Sequence, residues 1–131
     1  MPDLVTDASD LSRSIEAEGS LVGGVMIGGL DAYDRAGDVR EAHFSYPPNR
    51  LVWRAVQALA DARIVPDNVT VLERLRADGL ADRAGGGARL VDLVESTPGY
   101  ANVAAYATIV RERAVNRRRA EAARVLSLIH I

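Results

Sequence analysis

Apolar residues along most of this chain recur every three or four positions, which is the spacing of amphipathic helices, and they do not alternate as they would in strands. The clearest stretch follows Tyr46-Pro47-Pro48, where two prolines favour a helical start. Its apolar face is formed by Leu51, Val52, Ala55, Val56 and Leu59. The pattern predicts an all-α fold, a compact bundle of about six helices.

Local signals give the limits of the other helices. Ser14 is predicted to cap the first helix, which ends at Gly28-Gly29 and is followed by a short helix over residues 31–39. Thr70-Val71-Leu72-Glu73 matches a capping box, which predicts a helix that stops at Gly79. A further helix is predicted over residues 88–96, after the glycine turn 85–87.

Glycine and tryptophan suggest how these helices pack. Gly19 and Gly23 lie one turn apart inside a helix, so we expect them to face the backbone or a bulky side chain of a neighbour. Gly85-Gly86-Gly87 is interpreted as a plain turn, not an anion site. Trp53 lies at the border of its apolar face and is interpreted as a half-buried core-edge residue, in preference to a base-stacking one.

The last predicted helix changes character along its length. Its first half carries a narrow apolar seam of the kind that packs helix against helix, formed by Val103, Ala107, Val110 and Ala114. Beyond Ala114 the seam gives way to an arginine cluster. This distal half is either a solvated helix end or a surface that binds a partner.

Four regions follow from these patterns. We expect residues 1–13 to be a flexible arm, residues 14–100 a helical globular domain, and residues 101–125 a long Arg-rich helix. Residues 126–131 depart from the preceding Ala/Arg-rich composition and are interpreted as a non-native tail.

Composition excludes several kinds of chemistry. The chain has no cysteine and no lysine, so thiolate nucleophiles, disulfides, Schiff bases and a phosphate-loop lysine are all impossible. His43 and His130 belong to no catalytic or metal-binding motif, which predicts no catalytic residue, metal site or cofactor site. No secretion signal or membrane span is evident, and a cytoplasmic protein is expected.

Four motifs occur in order along the chain: Glu16-Ala17-Glu18, Phe44 through Pro47 leading into Arg50-Leu51-Val52-Trp53, Asp67-x-x-Thr70-Val71, and Thr97-Pro98-x-x-Ala101-Asn102-Val103 continuing to Glu112-Arg113. In order and spacing, they resemble the N-terminal domain of bacterial or phage DnaB-type replicative DNA helicases over residues 14 to about 124. Departures include Asn49, where the family often has histidine, and Gly19, where it usually has glutamine.

The resemblance implies a non-catalytic domain that assembles a hexameric ring of copies of itself and docks primase, with a helicase loader as a further partner. The last helix would be the first arm of a helical hairpin. ATP, Mg and most contacts with single-stranded DNA would belong to an ATPase domain outside this chain, which would make the full-length parent an ATP-dependent helicase. The predicted protein-interaction residues are Tyr106, Arg111, Arg113, Arg117 and Arg118.

An alternative from a different class is a free-standing helical DNA-binding or regulatory protein. It predicts measurable affinity of the isolated chain for single-stranded DNA at physiological salt.

Overall fold

The computed structural model describes residues 8–129, whose regular structure consists of helices only. The elements are α1 (Ala8–Ala36), a 3₁₀ turn (Glu41–His43), α2 (Pro47–Asp61), α3 (Asn68–Ala77), α4 (Gly86–Glu95) and α5 (Val103–Ile129). No strand occurs within this range, so the predicted all-α fold is confirmed. The core lies where α1 packs against α5, α4 and α2.

Helix α1 begins at Ala8, earlier than predicted. The expectation that residues 8–13 belong to a flexible arm is wrong, because they form the first turns of this helix; residues 1–7 lie outside the described range. Asp10 places negative charge in the first turn, where the helix dipole favours it. Ser14 is a buried residue inside the helix and not its cap.

The predicted stop at Gly28-Gly29 is a break inside α1. Gly29 has φ 68° and ψ −145°, a conformation that only glycine adopts readily, and the helix resumes after it. The continuation ends at Ala36, because Gly37 has φ 73°; the predicted second helix over residues 31–39 is therefore shorter and joined to the first.

The glycines of α1 allow close packing, as predicted. A Cβ at Gly19 would lie 3.2 Å from Leu93 Cδ2, and one at Gly23 would collide with the Leu93 carbonyl and the Thr97 hydroxyl. A Cβ at Gly24 would lie 2.7 Å from Val103 Cγ2 at the start of α5. This glycine face lets α4 and α5 approach the α1 backbone directly.

Helix α2 carries the aromatic centre of the core. Trp53 is fully buried, so the prediction of a half-buried residue is wrong. Its ring lies 5.7 Å from that of Tyr33 and 5.4 Å from that of Phe44, and its indole N–H donates to the Val39 carbonyl at 3.1 Å. Val39 and Phe44, which follow α1 in the chain, therefore bury the part of Trp53 that the helical pattern of α2 predicted to be exposed.

The limits of α3 and α4 differ slightly from the prediction. Asp67, not Thr70, caps α3: its carboxylate accepts from the Val69 and Thr70 amides at 2.9 and 2.8 Å, and Thr70 Oγ1 accepts from the Asp67 amide. Helix α4 begins at Gly86, two residues earlier than predicted, after the left-handed Gly85.

Candidate interaction surface along the last helix

The first half of α5 is seated on the domain core. Its buried residues are Val103, Ala107, Val110 and Ala114, which confirms the predicted seam. Tyr106 lies beside the seam and is partly buried against the same core. This half of α5 is therefore an integral part of the bundle.

Three of the predicted interaction arginines bind the domain itself. Arg111 Nη1 donates to the Ala36 carbonyl at the end of α1 at 3.0 Å. Arg113 Nη1 lies 3.4 Å from the Asp10 carbonyl oxygen, and Arg117 Nη2 donates to the His43 carbonyl at 2.7 Å. These arginines fix the direction in which α5 leaves the bundle.

Arg117 is held in a half-buried environment. Burial lowers the pKa of its guanidinium, and the nearby Glu18 carboxylate acts in the opposite direction. Its Nη1 is buried without a hydrogen-bond partner among the described residues. The guanidinium is therefore kept in place by one carbonyl bond and by attraction to a buried negative charge.

That negative charge, Glu18, lies at the centre of a buried polar network that the sequence analysis missed. Its carboxylate accepts from the amide and hydroxyl of Ser45 at 2.8 and 2.6 Å, from the Tyr46 amide at 3.3 Å and from Asn49 Nδ2 at 3.0 Å. Asn49 Oδ1 in turn accepts from Arg89 Nη2. One carboxylate thus joins α1 to the start of α2 and, through Asn49, to α4. The one available signal was Glu18 itself, an acidic residue on the apolar side of α1.

The second half of α5 has a different environment. No residue after Ala114 is buried within the described part of the helix. Arg118 and Arg119 are exposed, and their guanidinium groups form neither a hydrogen bond nor a salt bridge within residues 8–129. Apolar side chains are also exposed near the end of the helix: Val125, Leu126, Leu128 and Ile129.

The exposed apolar residues partly continue the seam. Counting onward from Ala114 in steps of three and four reaches Arg117, Glu121, Arg124 and then Leu128, with Val125 beside Arg124. The same face of α5 that packs against the bundle thus becomes polar from Arg117, which still bonds to the His43 carbonyl, and is apolar and exposed again at Leu128. A face of this kind suits pairing with a second helix.

Two shallow cavities lie beside α5. One of about 360 Å³ lies between Asp10, Ser14 and the Arg113 side of the helix. The other, of about 340 Å³, is lined by residues of α5 alone, including Val115 and Arg119. Both are open, and neither contains a recognisable catalytic arrangement.

His43 has a structural role beside α5. Its Nδ1 accepts from the Arg40 amide at 2.9 Å. Burial lowers its pKa most, and the positive charges of Arg118, Arg111 and Arg40 lower it further, against the opposing effect of Asp38. His130 lies outside the described residues, and residues 8–129 contain no cluster of side chains suited to hold a metal ion.

Sequence comparison places this geometry in a known family. Residues 10–112 match the family model described as the DnaB-like helicase N terminal domain, which accounts for most of the chain. The chain belongs to this family. The order of α1 to α5 and the seam of α5 are thus features of a DnaB N-terminal domain.

Individual relatives agree with this assignment. The chain is 35% identical over 105 residues to the replicative DNA helicase DnaB of Haemophilus influenzae, which covers 80% of this chain and 22% of that protein. It is 33% identical over 124 residues to the DnaB of Mycobacterium leprae, which covers 92% of this chain and 20% of that one. The chain therefore spans about a fifth of the length of these curated relatives.

A solved structure has the same fold. The crystal structure of the N-terminal domain of DnaB helicase from Mycobacterium tuberculosis superposes with a TM-score of 0.80 at 34% identity, covering 87% of this chain and 80% of that one. None of the comparisons supports the alternative of a free-standing DNA-binding or regulatory protein. Among the described residues, no helix is both long and apolar enough to cross a membrane.

Proposed function

We propose that this chain is the assembly and primase-docking domain of a replicative DNA helicase. Copies of the domain would form part of a hexameric ring, and primase and a helicase loader would bind to it. ATP, Mg and DNA unwinding would belong to an ATPase domain of the whole protein. The proposal rests on family membership together with the distal half of α5, which presents charged and apolar side chains that the domain itself does not cover.

The structure changes which residues this proposal depends on. Arg111, Arg113 and Arg117 bond to the domain's own backbone, so their substitution would disturb the fold as well as any interface. Within residues 8–129, neither Arg118 nor its neighbour Arg119 forms such a bond. We therefore assign the partner-facing role to Arg118, Arg119 and the exposed Val125, which precede the segment interpreted as a non-native tail.

Charge reversal tests this assignment. Exposed ion pairs each contribute up to about 1 kcal/mol, so Arg118→Glu with Arg119→Glu should weaken self-association or primase binding by about tenfold. Analytical ultracentrifugation measures the first, and fluorescence anisotropy with the primase encoded in the same genome measures the second. Because both residues are exposed and form no ion pair with any residue that the structure describes, the thermal midpoint should change little.

A matched control is Arg35→Glu with Arg63→Glu, which changes the charge equally at two exposed positions outside α5. Equal effects of the two double variants would show that net charge, and not the α5 surface, is responsible. No effect of the α5 variant on either interaction would contradict the surface assignment. Tight, salt-dependent binding of the isolated chain to single-stranded DNA would instead favour the alternative function.

A further inference from the structure

A second surface, distant along the chain from α5, is distinguished by its unpaired arginines. Twelve of the sixteen arginine side chains form a hydrogen bond or salt bridge within residues 8–129. Four form neither. Two of these are Arg118 and Arg119 on α5, and the other two, Arg50 and Arg83, line one groove.

The groove has an apolar floor and a charged rim on which three arginines outnumber one carboxylate. It has a volume of about 440 Å³, and Pro47, Pro48 and Leu51 at the start of α2 supply its apolar lining. Arg54 also lines it, but its charge is matched by Glu41, which binds it through two contacts of 2.9 and 3.2 Å. Glu41 lines the groove as well, and its carboxylate also attracts the guanidinium of Arg50, so the lining carries three guanidinium groups and one carboxylate. Arg50 and Arg83 are exposed, and neither forms a hydrogen bond or salt bridge within residues 8–129.

We infer that this groove binds an acidic segment of a partner protein that also carries an apolar side chain. Carboxylates would pair with Arg50 and Arg83, since guanidinium groups bind carboxylates in a two-point geometry. An apolar side chain between them would cover Pro47 and Leu51. Such a segment matches both properties of the groove at once.

Other occupants match it less well. A small anion would lack the first two helix amides as donors at the start of α2, because Pro47 and Pro48 have no N–H. Single-stranded nucleic acid would pair with the arginines but would find no aromatic ring in the lining on which to stack a base. A two-fold contact with a second copy would bring the same arginines face to face.

Binding can be tested with the 131-residue chain labelled with ¹⁵N. The probe is a fluorescein-labelled decapeptide of alternating Asp or Glu and Leu, with a second peptide in which serine replaces leucine. We expect the first peptide to shift the amide resonances of Arg50–Arg54 and Arg83. The serine peptide should bind about tenfold more weakly, because it leaves the apolar floor uncovered.

The protein variants isolate the role of the two arginines. Arg50→Glu with Arg83→Glu should weaken binding of the leucine peptide by about tenfold in anisotropy titrations, with an unchanged circular dichroism spectrum. Arg118→Glu with Arg119→Glu imposes the same charge change on the other unpaired pair and should alter the affinity less than about twofold. The outcome for this groove does not depend on whether α5 mediates assembly.

Five results would overturn the inference, of which four concern the peptides, the variants and the oligonucleotide. These four are an absence of shifts at the groove, equal weakening by both double variants, equal binding of the leucine and serine peptides, and resonance shifts at the groove produced by a thymidine oligonucleotide at lower concentration than by the peptide. Shifts at the same residues on raising the protein concentration alone would assign the groove to self-association, which also contradicts it.

Discussion

At the residue scale, the buried carboxylate of Glu18 is the centre of the hydrogen-bonded network that joins α1 to α2. It accepts four hydrogen bonds from three residues that precede or begin α2. Glu18→Ala would leave two backbone amides and the Asn49 amide without this acceptor. We expect the free energy of unfolding to fall by about 3 kcal/mol, as measured by urea denaturation.

Glu16→Ala provides the control for that measurement, because Glu16 lies two residues away in the same helix and is exposed. Substitutions at such positions usually change stability by less than about 0.5 kcal/mol. If both variants lost the same stability, the loss would reflect the negative charge of α1 and not the buried network.

His43 provides a prediction about pH. Burial lowers its pKa below the ordinary value of 6.5, so the unfolded chain binds a proton more readily than the folded one. The contribution of His43 to stability is therefore complete above pH 6.5 and is lost as the pH falls below it. Protonation of Nδ1 would also break the bond from the Arg40 amide.

The measurement is the urea midpoint of the wild-type chain and of His43→Gln between pH 7.5 and 5. We expect the wild type to lose more stability than the variant over this range. Glu41, whose pKa is lowered by its hydrogen bond with Arg54, loses its contribution only at more acidic pH, so the two effects separate. Parallel curves for the two proteins would rule out a role for His43.

Residue environments were harder to predict from the sequence than helical content. The period of three and four correctly predicted Val103, Ala107, Val110 and Ala114 as buried, because that pattern is local to one helix. The environments of Trp53 and Arg117 depend on Val39 and His43, which come from other segments of the chain. No pattern within one helix contains that information.

At the scale of elements, the glycine face of α1 determines how closely α4 can approach. Gly23→Ala should gain about 1 kcal/mol of helix propensity, yet its Cβ would collide with the Leu93 carbonyl, and overpacking costs up to about 3 kcal/mol. We expect a net loss of about 2 kcal/mol in the free energy of unfolding. Thermal and urea denaturation both measure it.

The control for this prediction is Gly99→Ala, since nothing lies within 4 Å of a Cβ at that glycine. It should change stability by less than about 0.5 kcal/mol. An equal or greater loss at Gly99 would mean that backbone flexibility matters more than the close contact of α1 with α4.

Helix limits show which signals are reliable at this scale. The start of α2 at Pro47 was predicted, because proline restricts its own backbone. The start of α3 was predicted three residues late, since Asp67-x-x-Thr70 and Thr70-x-x-Glu73 both resemble capping boxes and the carboxylate of Asp67 is the cap used. The early start of α1 depends partly on Arg113, which is remote in sequence.

At the scale of the whole molecule, α5 joins two regions of unequal stability. The part of α5 up to Ala114 packs against the core, so its amides are protected by the stability of the whole domain. The amides beyond Arg118 are protected only by the hydrogen bonds of the helix itself. Amide hydrogen exchange at micromolar concentration should therefore be slow in residues 103–114 and faster in residues 119–129. Raising the protein concentration should slow exchange in the second segment if α5 pairs with a partner copy.

The control is the same concentration series with Arg118→Glu and Arg119→Glu, in which the concentration dependence should disappear. Uniform protection along α5 at the lowest concentration would contradict the division of the helix into two parts.

The enclosure of Trp53 by Tyr33 and Phe44 gives this protein a built-in optical reporter. The chain has one tryptophan, so tryptophan fluorescence reports on the junction of α1 and α2 and not on the distal half of α5. Circular dichroism, in contrast, detects every helical residue. Denaturation curves recorded by the two methods on one sample would therefore coincide if the whole of α5 unfolds together with the core. A difference between the two midpoints would measure how far the distal half of α5 unfolds independently.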